Sequence, residues 1–208
     1  MRKSRRKYYD VFSRFYDRFI EMHSSGHQGE LKRFFAKATG VPEGGIILDI
    51  CTGTGTLLPY LKARVAGAGR VVGVDFSSGM LDVARKKCTA LDRTDLVQGD
   101  VGRLPFSNRV FDAVTCTHAF YELKGESQDR CLREIRRVLK PGCPFLMMEH
   151  DVPENPVVRF LFYIRIMSMG THRAVQILKR EKEYLAGYFS HVVKVNTPAG
   201  RSKILICR

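Results

Sequence analysis

Tryptophan is absent from the 208 residues, no pair of cysteines stands in a C-x-x-C arrangement, and acid falls well short of base. Each gap excludes something. The six cysteines (51, 88, 116, 131, 143 and 207) are scattered and fall mostly in expected strands and helices. That argues against a disulfide framework or a zinc knuckle and for reduced, buried thiols of a cytoplasmic protein. No apolar run approaches the ~20 residues that a bilayer-crossing helix needs: Phe160-Leu161-Phe162-Tyr163-Ile164 is stopped by Arg159 and Arg165. The basic start, Met1 to Lys7, leads into Tyr8-Tyr9-Asp10-Val11-Phe12 and not into an apolar leader core, so no secretory signal is expected. His23 and His27 are four apart, but Ser24-Ser25-Gly26 between them breaks a helix and no acid completes a metal pair. No metal site is expected.

The missing acid gives a net charge of +14, and its location is informative. Residues 41–150 carry 15 Lys/Arg against 13 Asp/Glu, whereas residues 1–40 and residues 151–208 each carry 10 against 4. Both flanks are basic around a nearly neutral centre. Such a distribution implies an anionic partner, whether a lipid surface, a phosphorylated substrate or nucleic acid, or else only a well-solvated exterior.

What is present begins with Ile46-Ile47-Leu48-Asp49-Ile50-Cys51-Thr52-Gly53-Thr54-Gly55. An apolar run ends at an acid and turns through two glycines into a helix-forming segment. This is the pattern of a parallel strand feeding a loop whose backbone comes close to a nucleotide. A second such run, Val71-Val72-Gly73-Val74-Asp75, ends in an acid 20 residues beyond Gly55, where a carboxylate can grip ribose hydroxyls. A dinucleotide-binding dehydrogenase would want a third glycine where this chain has Leu58, and would not place Asp49 in the first strand.

Strand patterns at 46–50, 71–75, 95–98, 111–116 and 144–149 alternate with helix patterns at 56–65, 78–88 and 126–139. A helical region from Asn155-Pro156 to about residue 187, interrupted near Gly170, precedes a closing pair of strands at 191–195 and 203–207. Apolar positions at helical spacing over 5–22 and 28–38 predict two helices ahead of the first strand. The expected fold is α/β: a doubly wound, mostly parallel seven-stranded sheet (Rossmann-like) with an N-terminal helical lid. The expected division is a lid at 1–40 and a ligand-binding domain at 41–208.

With Asp75-Phe76-Ser77-Ser78-Gly79-Met80, Gly99-Asp100 to Phe106, Phe111-Asp112-Ala113-Val114 and Leu139-Lys140-Pro141-Gly142 added in order, the chain resembles the class I S-adenosylmethionine-dependent methyltransferases. Cys51 stands where that family most often has glycine. The resemblance implies S-adenosyl-L-methionine as cofactor and S-adenosyl-L-homocysteine as product. The methionine part would lie against Cys51, Thr52, Gly53 and Gly55, with Asp49 orienting its ammonium. Asp75 would hold the ribose, Phe76 and Met80 would line the adenine, and Asp100 and the Val101 N–H would read its edge. Thr117, just after the fourth strand, would complete that set. It also implies a last strand inserted antiparallel beside the fifth.

After that strand, Thr117-His118-Ala119-Phe120-Tyr121-Glu122 reaches the sheet edge where α/β folds bind ligands. His118 and Tyr121 are the candidates there for acid–base chemistry, or for shaping the pocket. Phe12 to Asp17 resembles the N-terminal segment of the ubiquinone and menaquinone biosynthesis methyltransferases, which implies that Tyr16 folds over the cofactor. That family and the small phosphatidylethanolamine N-methyltransferases are the nearest resemblance, and it weakens after Glu149-His150. The expected acceptor is a small, hydrophobic or membrane-associated molecule, quinone-like or lipid, met in the cytoplasm or at the inner face of the membrane. An RNA methyltransferase and a non-catalytic S-adenosylmethionine-binding module are the rival readings.

Overall fold

In a computed structural model of the chain, residues 9–10, 13, 28–123, 125–152, 155–168, 172–198 and 202–208 are described. Seven strands form one sheet: β1 (Ile46–Ile50), β2 (Arg70–Asp75), β3 (Thr94–Gln98), β4 (Ala113–Thr117), β5 (Phe145–His150), β6 (Val192–Asn196) and β7 (Ser202–Cys207). Their order is β3-β2-β1-β4-β5-β7-β6. The first five are parallel, and β7 runs antiparallel to both β5 and β6. This is the doubly wound sheet that the sequence predicts, with the antiparallel insertion beside the fifth strand.

The α-helices described over their full length are α1 (Gln28–Ala38), α2 (Leu58–Val65), α3 (Ser78–Cys88), α4 (Glu126–Val138), α5 (Pro156–Ser168), α6 (His172–Lys179) and α7 (Glu181–Ala186). Successive strand residues face opposite layers, so the sheet divides the apolar core in two. Ile47, Val71, Ala113, Leu146 and Ile204 pack with Phe35, Leu58, Leu61 and Val65 of α1 and α2. Leu48, Val72, Val114, Phe145 and Leu205 pack with Cys131, Leu132 and Ile135 of α4 and with Leu185 of α7. Near-continuous burial of β1, β2 and β4 is what parallel strands covered on both faces require.

Two of the recurring motifs prove to be mutual ties. Asp112 accepts the Ile46 N–H at 2.8 Å and the Lys140 ammonium at 2.7 Å, while the Lys140 N–H reaches the Phe111 carbonyl at 3.0 Å. The strand expected at 111–116 accordingly starts at Ala113, because Phe111 forms only an isolated bridge with Leu139. The helix expected from residue 56 starts at Leu58, since Gly53 to Leu57 form the preceding turns. All six cysteines are free thiols. Most of the helix expected over 5–22, with Tyr16, His23 and Gly170, lies outside the described residues.

Candidate active site

The strand order reverses direction of travel between β1 and β4, and the carboxyl ends of those strands open the crevice that α/β sheets use for ligands. Asp49 stands at that edge, 1% exposed, flanked in register by Gly73 of β2 and Thr115 of β4. The Thr52 and Thr115 hydroxyls donate to its two oxygens at 2.6 and 2.7 Å. Burial pushes its carboxyl up to about 6, opposed by these hydroxyls and aided by the nearby charge of Asp75. Gly73 makes room for this arrangement: a Cβ there would lie 3.0 Å from the Thr52 methyl.

The loop that follows has left-handed backbone at Cys51 (φ 53°), Gly53 (φ 55°) and Gly55 (φ 73°). Cys51 thus adopts the conformation usual for glycine, at a steric cost of about 1–2 kcal/mol for an L residue. The two glycines answer different demands. A Cβ on Gly53 would meet nothing within 4 Å, whereas one on Gly55 would lie 2.9 Å from the Ala84 Cβ of α3. Gly55 serves close packing, and Gly53 leaves an open surface on the loop.

Asp75, 5% exposed, accepts the Gly53 N–H and the Ser77 N–H, one on each oxygen, both at 2.9 Å. Burial raises its carboxyl above the ordinary range. Beside it the Phe76 ring is 37% exposed, whereas Met80 and Val101 are buried. Asp100 closes its own turn, accepting the Gly102 N–H at 2.9 Å. Glu134 of α4 takes the Leu104 N–H at 2.7 Å and an Arg137 guanidinium at 2.7 Å, anchoring the loop after Asp100.

Sequence reasoning missed what Tyr9 and Asp10 do. The Asp10 carboxylate accepts the Ser77 hydroxyl at 2.6 Å and the Gly79 N–H at 3.0 Å, at the start of α3. Gly79 permits this approach, because a Cβ would stand 2.7 Å from the Asp10 backbone. The Tyr9 ring meets Phe76 edge-on at 5.8 Å, and its hydroxyl donates to Glu122. A strap therefore joins the segment after β2 to the segment after β4. An acid directly after an aromatic pair, behind a run of basic residues, was the available signal.

At the other half of the edge, Thr117 ends β4 and His118 has φ 52°, its N–H bonded to the Met148 carbonyl at 2.8 Å. Its ring lies 4.3 Å from that of His150, the exposed last residue of β5. Behind this pair, Glu149 accepts the Phe120 N–H at 3.0 Å, and burial pushes its carboxyl up to about 8. The Tyr121 hydroxyl donates to Glu181 at 2.6 Å, and burial, reinforced by that acid, raises its pKa well above the ordinary phenol value. Lys203, 1% exposed, pairs with the same Glu181. Tyr121 is therefore held as a neutral donor in a buried network. No acid in the strand pattern flagged Glu149 or Glu181, since both read as surface residues until the sheet and α7 enclose them.

The residues present suit a cationic nucleoside. Two buried acids, both raised by desolvation, favour a positive group at the edge of β1, and an exposed aromatic ring stands at the end of β2. Among the described residues no group of His, Cys, Asp and Glu could hold a metal ion.

These features define a class I methyltransferase fold. Residues 47–142 match the family model described as a methyltransferase domain. It is 37% identical over 162 residues to the demethylmenaquinone methyltransferase of Symbiobacterium thermophilum, spanning 76% of this chain and 64% of that protein. It is 35% identical over 155 residues to the ubiquinone/menaquinone biosynthesis C-methyltransferase UbiE of Hahella chejuensis, spanning 73% and 61%. The chain thus covers a little under two thirds of the length of these relatives. Among solved structures, a SAM-dependent methyltransferase from Aquifex aeolicus superposes with a TM-score of 0.66 at 20% identity over 90% of this chain and 95% of that one. That likeness speaks for the fold.

Proposed function

We propose that this chain transfers a methyl group from S-adenosylmethionine to a ring carbon or oxygen of a hydrophobic, quinone-like acceptor. The observation that carries the reading is the Asp49–Thr52–Asp75 edge, where two buried carboxylates and an open glycine loop meet. The 33–37% identity to demethylmenaquinone methyltransferases supports the acceptor class.

When bound, S-adenosylmethionine supplies a sulfonium methyl carbon open to in-line displacement. The chain's residues hold, aim and shield. The loop Cys51–Gly55 takes the methionine part, and Asp49 attracts its ammonium. Asp75 offers the remaining lone pairs of its oxygens to the ribose, and the Phe76 ring, with Met80 behind it, borders the adenine. Asp100, Val101 and Thr117 complete that wall. The strap of Tyr9 and Asp10 covers the cofactor half and excludes water, which proximity-driven transfer requires.

At the acceptor half, His118 receives the proton that a hydroxyquinol loses as its ring becomes nucleophilic. With the cofactor bound, the acceptor's bond to the methyl carbon would form as the methyl–sulfur bond breaks, giving the methylated acceptor, S-adenosylhomocysteine and one proton, for which His118 is the receiver. Tyr121, committed to Glu181, positions the turn that carries His118.

The test is incubation of the purified chain with methyl-labelled cofactor and a demethylated naphthoquinol. Label on the acceptor is the expected result. Binding of the cofactor without label on any quinol would leave a cofactor-binding module and overturn the enzyme reading.

A further inference from the structure

Six large apolar side chains stand exposed among the described residues, and four of them belong to α5. Val157, Phe160, Leu161 and Ile164 are 68%, 65%, 58% and 47% exposed. At i, i+3, i+4 and i+7 they share one helical face. The helix is well founded: Asn155 caps it by accepting the Val157 N–H at 3.0 Å, and Pro156 opens its first turn. It begins shortly after β5 ends at His150, on the acceptor side of the site. A single exposed hydrophobe needs no explanation, but a stripe does.

Charge decides what covers the stripe. The sequence from 156 to 180 holds Arg159, Arg165, Arg173, Lys179 and Arg180 and no Asp or Glu. Arg159, Lys179 and Arg180 are exposed, and the Lys179 ammonium stands 5.9 Å from the centroid of the Tyr163 ring, which brings a cation of α6 against α5. A second copy of a chain of net charge +14 would press like charges together. Nucleic acid would satisfy the cations and leave four apolar side chains facing phosphate. An anionic bilayer satisfies both, with phosphates for the cations and the acyl boundary for the stripe.

We propose that α5 is an interfacial helix, lying on an anionic bilayer with Val157, Phe160, Leu161 and Ile164 in the headgroup–acyl boundary. Docked in this way, the mouth beside His118 and His150 receives its acceptor from the membrane. The proposal rests on the reading above only for what the docking serves, since vesicle binding requires neither cofactor nor acceptor.

The test is co-sedimentation of the full chain, without cofactor, with vesicles of phosphatidylcholine alone or containing about one third phosphatidylglycerol. The wild type should partition onto the anionic vesicles roughly tenfold more strongly than onto the neutral ones, and added salt should weaken it. The double variant Phe160→Ser/Ile164→Ser should lose roughly tenfold or more of that partitioning at an unchanged melting temperature, and Phe160→Leu should retain most of it. Wild-type protein left in the supernatant with both vesicles, or a double variant that binds as well as wild type, overturns the proposal. So does light scattering that shows a wild-type dimer and a variant monomer, or a variant that melts early. Vesicle binding without methyl transfer would leave docking intact and defeat the enzyme reading, and the converse would defeat docking alone.

Discussion

Asp75 has one duty that the structure shows and a second that the proposed function gives it. It braces the loop through the Gly53 N–H and the Ser77 N–H, and under the proposed function its outer lone pairs are offered to a ribose. Hydrogen bonds to a charged group contribute about 1.5–3 kcal/mol, so Asp75→Ala should weaken cofactor-product binding by roughly 10- to 100-fold in titration calorimetry. Unchanged affinity would remove the ribose assignment. His118 acts at the other half of the edge, where its ring faces that of His150. His118→Ala should leave calorimetric affinity for the cofactor within about twofold and lower kcat on the order of 100-fold. An unaltered kcat would make His118 a pocket wall instead. The histidine, the two acids and the loop glycines were legible in the sequence because each sits at a strand end. Thr115 was not, because a threonine in a strand signals only β propensity until register sets it against Asp49.

The glycine loop and α3 form a unit whose two conformationally special glycines respond differently to change. At Gly55 both a φ of 73° and the 2.9 Å approach of Ala84 oppose a side chain. Gly55→Val should therefore lower stability by roughly 2–4 kcal/mol, read as an earlier melting transition, and abolish cofactor binding with it. At Gly53 only the backbone angle is strained, while the space that a Cβ would occupy is open. Gly53→Ala should cost about 1 kcal/mol of stability and yet weaken cofactor binding disproportionately, by calorimetry against the same melting series. Equal losses of stability and affinity would mean that the open face of Gly53 does not meet the ligand. The strap formed by Tyr9 and Asp10 belongs to the same level. Its contacts with Gly79 and Glu122 join positions 69 and 113 residues apart, a pairing that no local pattern announces.

Buried carboxyls, Asp49 and Glu149 most clearly and Asp75 in the same direction, tie the stability of the chain to pH. Asp49 is raised from 3.8 to about 6 and Glu149 from 4.5 to about 8, in both cases chiefly by burial. A folded state that holds a proton more tightly than the unfolded chain is favoured at low pH. The advantage is lost as pH rises through the unfolded value and is gone above the folded one. At constant ionic strength the melting temperature of the cofactor-free chain should fall as pH is raised from about 5 to about 8. Glu149→Gln should remove most of the decline above about pH 6, since Asp49 has already ionised there. A melting temperature that rises across this window in the wild type would contradict the burial argument. Binding of a cationic ligand beside Asp49 should flatten the lower part of the same curve.

The alternation of buried runs with helical spacing sufficed for the strand count, the element order, the doubly wound class and the sheet edge proposed as the site. Period and turn chemistry are local properties that depend little on context. It also sufficed to place Asp49, Asp75 and the glycine loop at that edge, since a strand's end is read from local pattern. Folding alone supplied the rest. It enclosed Glu149, Glu181 and Lys203 in one network, drew His150 against His118, and left the stripe on α5 uncovered. Burial, charge pairing and exposure are relations between distant segments, and they come into being only when the chain closes on itself.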